Sequence, residues 1–118
     1  MATDSPSATR GFSLQAERAD ERVIVACCGR LTLEHAPQLR NKLRTLILEE
    51  KHIVIDLKDV PFMDSSGLGA LVTLYVSART RGCKLELINM SPALRSLLGA
   101  TNLLSLFEHA GRYGGKMP

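Results

Sequence analysis

Six consecutive residues, Val23-Ile24-Val25-Ala26-Cys27-Cys28, are apolar, and no other segment constrains the fold as much. The run is too short for an amphipathic helix and is rich in β-branched side chains. A continuous apolar stretch of this length suits a strand covered on both faces. The segment before it reads differently. Phe12, Leu14 and Ala16 alternate with Ser13, Gln15 and Glu17, the period-two pattern of a half-exposed strand. The short polar turn Ala19-Asp20-Glu21 joins the two. An antiparallel hairpin with one edge strand and one interior strand is therefore expected.

Helical spacing begins after Gly29-Arg30-Leu31-Thr32 breaks the strand. A helix is predicted from near Leu33 or Glu34, with Pro37 in its first turn, where the missing N–H is not yet needed. Ala36, Leu39, Leu43 and Leu46/Ile47 form its apolar stripe. Ile53-Val54-Ile55-Asp56-Leu57 is the next strand. Leu68, Leu71, Val72, Tyr75 and Val76 carry a second helix to about Arg81, and Gly82 ends it. Lys84–Ile88 reads as a strand. Ser91-Pro92 then supplies a cap and a first helical residue for a helix that buries Leu94, Leu97 and Leu98. Leu106-Phe107-Glu108 is expected to form a last short strand. Residues 1–10, rich in Ser, Thr and Ala, read as a flexible leader, and the glycine-rich residues 111–118 as a flexible tail. The order β-β-α-β-α-β-α-β predicts an α/β fold: a single domain over residues 11–110, with a mixed sheet of four to five strands covered by helices.

Composition removes several classes of function. A chain of 118 residues makes one domain and buries enough surface to fold without a disulfide or a metal. No apolar run approaches the roughly 20 residues of a membrane span, and residues 1–11 have no apolar core for a signal peptide. A cytoplasmic protein with no direct membrane insertion is expected. Fifteen Lys and Arg against 12 Asp and Glu give a net charge of +3. That excess is small and spread along the chain, and only three Phe and two Tyr are available for stacking. Nucleic-acid binding is accordingly not expected. The cysteines are read as buried thiols, with Cys27 and Cys28 facing opposite ways on their strand. No Cys/His spacing indicates zinc, so no metal or other cofactor is expected.

The chemistry concentrates in Phe62-Met63-Asp64-Ser65-Ser66-Gly67-Leu68-Gly69, where a strand-end loop becomes a helix. Asp64 or Ser65 can cap that helix by accepting from an orphan N–H. Gly67 and Gly69 each cost roughly 1 kcal/mol of helix propensity relative to Ala, which points either to two glycines serving packing at a helix cap or to bare backbone that something else approaches closely. Catalytic readings fit poorly. A nucleophile elbow needs Gly two residues on either side of its Ser, and those positions are Asp64 and Leu68 around Ser66, and Met63 and Gly67 around Ser65. His35, His52 and His109 fall at no triad spacing and read as solvated surface residues. Gly67-Leu68-Gly69 lacks the third glycine of a dinucleotide fingerprint, because Val72 stands there. No catalytic residue is assigned, and the chain is not expected to be an enzyme.

The run Val60-Pro61-Phe62-Met63-Asp64-Ser65-Ser66-Gly67-Leu68-Gly69 resembles the signature of STAS domains, in particular of bacterial anti-sigma-factor antagonists. Gly29-Arg30-Leu31 and Ala36-Pro37-Gln38-Leu39-Arg40 resemble that family's other characteristic stretch, and the likeness runs from about Phe12 to Glu108. It implies a protein-binding module that regulates transcription by partner switching. Ser65, first after the aspartate, is the implied phosphorylation site. Asp64, Ser66, Gly67, Leu68, Gly69, Thr32 and Arg30 are the implied partner-binding residues, with Thr32 standing where the family often has Asp. The implied partners are an anti-sigma factor with serine-kinase activity and, for the phosphorylated form, a PP2C-type phosphatase. The resemblance leaves open a second role, a STAS subunit of an ABC-type phospholipid-transport complex acting without phosphorylation. Binding of a small anionic ligand at the Ser65 helix start is a third.

Overall fold

A computed structural model of the chain describes residues 11–100. The leader, the expected strand at Leu106–Glu108, His109 and the tail lie outside the described residues. Four strands and three helices follow one another as β1 (Phe12–Ala19), β2 (Arg22–Gly29), α1 (Ala36–Glu49), β3 (His52–Asp59), α2 (Ser65–Thr80), β4 (Lys84–Ile88) and α3 (Pro92–Ala100). The strands form one sheet in the order β1-β2-β3-β4. β1 pairs antiparallel with β2, from Phe12 opposite Gly29 to Ala19 opposite Arg22. The turn between them places Asp20 at φ 60, a conformation this short polar residue tolerates. β2 with β3 and β3 with β4 are parallel, and α1 and α2 supply the crossovers that parallel pairing requires.

The sheet buries one face. Val23, Val25 and Cys27 of β2 join Phe12, Leu14, Ile53, Ile55, Leu57 and Leu85 in a single cluster. The helices complete it with Leu39, Leu43 and Ile47 of α1, Leu68, Leu71 and Leu74 of α2, and Leu94 and Leu98 of α3. Each fully buried aliphatic side chain contributes about 1.5–3 kcal/mol relative to an exposed one. On the other face of β2, Ile24 is only half-buried and Ala26 and Cys28 are exposed. The expectation of a strand covered on both faces is thus corrected for β2. The two residues left open there have small side chains, so their exposure costs little apolar area. β3 comes nearer to that expectation, since Val54 on the outer face is buried as well. The cysteines divide accordingly: Cys27 and Cys83 are buried, and Cys28 is not. Burial, with the Asp56 charge and then Cys28 adding to it, pushes the Cys27 thiol up to about 12.

Helix boundaries follow local chemistry. α1 starts at Ala36, later than the sequence suggested, because Pro37 must occupy the first turn and Thr32–His35 forms a turn of its own. α3 begins as expected, with the Ser91 Oγ accepting from the Leu94 N–H at 3.2 Å. Near the ends of β2 and β3 the pairing shifts register. Ala26 faces Asp56 and Cys28 faces Asp59, so β3 carries one extra residue. Beyond this irregularity the two chains meet again at a parallel bridge between Leu31 and Met63.

Candidate functional site

That bridge sets Arg30–Thr32 beside Phe62–Asp64 at the carboxyl ends of β2 and β3, the edge where open α/β sheets carry their sites. The Leu31 N–H donates to the Phe62 carbonyl at 3.0 Å, and the Asp64 N–H donates to the Leu31 carbonyl at 3.2 Å. Leu31 and Met63 point into the core. Their neighbours stay at the surface, and the Arg30 guanidinium lies over the Phe62 ring, 4.5 Å from its centroid. A cation–π contact of this exposed kind is worth about 0.5–1 kcal/mol.

Asp64 is the N-cap of α2, with extended backbone at φ −100 and ψ −174. Its Oδ1 accepts from the Ser66 N–H at 2.9 Å and the Gly67 N–H at 3.1 Å. Its Oδ2 accepts from the Leu33 N–H at 3.1 Å, 31 residues earlier in the chain. The Gly67 N–H above all, with those of Leu33 and Ser66, holds the carboxyl below its ordinary value.

The two glycines serve opposite purposes. A Cβ on Gly67 would come 2.4 Å from the Leu31 carbonyl oxygen and 2.9 Å from Met63 Cγ. At Gly67 the packing alternative therefore holds: what lies close is the protein's own backbone. A Cβ on Gly69 would meet nothing within 4 Å. Gly69 lies one turn from Ser65 on an exposed stripe with Thr73, Val76 and Thr80, which carries no charge over a helix about 24 Å long.

Of the residues singled out in the sequence, Arg30, Ser65 and Gly69 are exposed, and Thr32, Asp64 and Ser66 half-exposed. All lie around the start of α2. Gly67 and Leu68 are buried, so they shape the site from inside and present no surface to a partner. Two residues went unassigned. Leu33 is 71% exposed and Phe62 42% exposed, apolar groups on the two loops that flank Ser65. A signal for Leu33 existed: once Pro37 is confined to the first helical turn, Leu33 must lie outside the helix.

The histidines depart from the expectation of solvated surface residues. His35 is buried; its Nδ1 lies 3.0 Å from the Arg30 carbonyl and its ring stacks on Phe12 with centroids 5.5 Å apart. Its position just before α1, under the β1–β2 edge, turns a polar ring into packing. His52 is partly buried and pairs with Glu86 at 2.8 Å. Among the described residues no group of three or more His, Cys, Asp or Glu is placed to hold a metal ion, and no helix is long and apolar enough to cross a membrane.

A mixed four-stranded sheet, three helices on one face, and a serine-bearing helix start at the carboxyl edge, flanked by the exposed Leu33 and Phe62, define an α/β domain. Residues 13–113 match the STAS domain, and the chain belongs to that family. It is 30% identical over 104 residues to the anti-sigma-B factor antagonist of Bacillus subtilis (strain 168), covering 88% of this chain and 95% of that protein. The anti-sigma factor antagonist SpoIIAA in its unphosphorylated form superposes with a TM-score of 0.63 at 27% identity, over 74% of this chain and 82% of the other. The phosphorylated form of the Bacillus cell fate determinant SpoIIAA gives 0.65 at 26% identity, over 80% and 87%.

Proposed function

We propose that the protein is an anti-sigma-factor antagonist, a binding module switched by phosphorylation of Ser65. The observation that supports it most is an exposed serine directly after an aspartate N-cap, in a chain akin along most of its length to antagonists of that name. Unphosphorylated, the protein binds an anti-sigma factor through the start of α2 and the adjoining loops, leaving the sigma factor free. That partner is also the serine kinase. It transfers the γ-phosphoryl group of ATP to the Ser65 Oγ, forming the new O–P bond as the bond to ADP breaks, and the hydroxyl proton passes to a base of the kinase. A PP2C-type phosphatase reverses the step by hydrolysis. The antagonist is bound and released and catalyses nothing itself; its place of action is the cytoplasm, where sigma factors and ATP are found.

Electrostatics make the switch plausible in size. Phosphate adds about −1.5 to −2 charge at Ser65. A helix N-terminus ordinarily favours an anion by about 0.3–1 kcal/mol, but Asp64 already occupies the Ser66 and Gly67 N–H groups. Little stabilisation is gained inside the protein, and the direct charge repulsion falls on the docked partner. Two like unit charges 4 Å apart repel by about 4 kcal/mol at an effective dielectric near 20. Half of that lowers affinity more than tenfold. Incubation with the candidate anti-sigma kinase and ATP, followed by mass-spectrometric mapping, tests the assignment. Phosphate on Ser65 of the wild type and none on Ser65→Ala is expected. Equal incorporation by Ser65→Ala overturns the site, and stable co-purification with a transport ATPase without phosphorylation overturns the function.

A further inference from the structure

The Asp64 carboxylate does more than cap a helix. Capping needs one oxygen, and Oδ1 supplies it. Oδ2 turns to the other loop and takes the Leu33 N–H. Elsewhere that loop is tied at its ends: the Leu31 N–H and carbonyl bond to Phe62 and Asp64, and the Thr32 carbonyl accepts from the N–H groups of His35 and Ala36 at 2.9 and 2.8 Å. Leu33, the most exposed large apolar residue among those described, sits between these ties. The hydrogen bond from its backbone N–H to Asp64 is what the structure shows holding it against the Ser65 turn.

We infer that Asp64 is a positioning residue that locks the Leu33 loop to the start of α2, and that charge placed on Ser65 releases this lock. The release half rests on the reading of Ser65 as a phosphoacceptor. A phosphate one residue away repels the Asp64 carboxylate and competes for the same Ser66 and Gly67 N–H groups. When the carboxylate swings out, the Leu33 N–H loses its acceptor. A partner that reads Ser65 therefore reads the placement of Leu33 with it, and phosphorylation alters an apolar contact as well as a charge. The lowered pKa of Asp64 agrees with a carboxylate engaged on several N–H groups.

Substitution can separate cap from lock. In Asp64→Asn the carboxamide has one acceptor oxygen, so it can cap α2 through Ser66 and Gly67 and offers only an NH2 group to the Leu33 N–H. Asp64→Ser retains a capping oxygen that is too short to reach Leu33. Residue-resolved amide hydrogen exchange on the full chain gives the readout. Both variants should retain slow exchange at Ser66 and Gly67, which reports that α2 is still formed. Exchange at Leu33 should rise about tenfold or more, the size expected for loss of one hydrogen bond. Wild-type chain carrying phosphoserine incorporated at position 65 during translation should show the same rise at Leu33. Exchange at Leu33 within about twofold of wild type in Asp64→Asn overturns the lock. Unchanged exchange at Leu33 in the phosphoserine chain overturns the coupling. Because the phosphoserine is installed without a kinase, either result stands apart from whether a kinase uses Ser65, which the mass-spectrometric assay decides alone.

Discussion

Two helix starts lie side by side at the carboxyl ends of β2 and β3, and they are built in opposite ways. α1 begins at His35 with no side-chain cap and a proline in its first turn; what anchors it is a buried imidazole stacked on Phe12. α2 begins at Asp64, whose two oxygens accept three N–H groups, and it leaves a hydroxyl in solvent directly afterwards. A start anchored by a buried side chain exposes no group there on which charge can be placed. A start held by polar bonds at the surface can be altered by adding charge, and the proposed function puts that charge on the exposed Ser65 beside it.

Substitutions at the two starts can break or sharpen this contrast. Gly67→Ala should give the largest effect. Its Cβ would press on the Leu31 carbonyl, a backbone atom that cannot rotate away, and a loss of about 1–3 kcal/mol in urea unfolding is expected. His35→Ala should come next, costing about 1–2 kcal/mol through lost packing and an unpaired Arg30 carbonyl while phosphate incorporation at Ser65 is unchanged. An equal loss of phosphorylation would show that the two starts are not independent. Gly69→Ala should work in the other direction. With open space around the new methyl, helix propensity predicts a gain of up to about 1 kcal/mol in thermal unfolding, and partner affinity should fall if the bare stripe is a contact surface. The smallest effect is acid-sensitive. The Asp64 carboxyl titrates lower folded than unfolded, so its contribution is present above the unfolded value of about 3.9 and fades as pH falls through the folded value. Asp64→Asn should flatten that limb of the stability–pH curve, and an unaltered limb would remove the carboxylate from the account.

Much of the architecture was legible because it rests on local periodicity. The alternation of Phe12 and Leu14, the stripe Ala36-Leu39-Leu43 and the Ser91-Pro92 start each became the expected element. The β2 run misled because Ala26 and Cys28 count as apolar in a sequence yet cost little when exposed. At the site, the Asp64 cap and the exposed Ser65 were legible, since capping is decided within three residues. The bond from Leu33 to Asp64 spans 31 residues, and the Arg30 contact with Phe62 spans two loops. Such links depend on which strands become neighbours, and spacing carries no record of that. The burial of His35 was hidden for the same reason: it follows from β1 lying next to β2 and bringing Phe12 over the ring.

The division of the adjacent thiols has a practical use. Cys27 faces the core with its ionisation pushed up to about 12, and Cys83 is buried and shifted upward by burial as well, whereas Cys28 opens to solvent. Only thiolates react readily with maleimides, so near neutral pH a dye should attach selectively at Cys28 in the folded protein. That position is two residues before Arg30, on the sheet face turned away from the helices. A fluorophore there would sit next to the start of α2 without occupying it, and could follow binding and release of the proposed partner in real time on the unmutated chain.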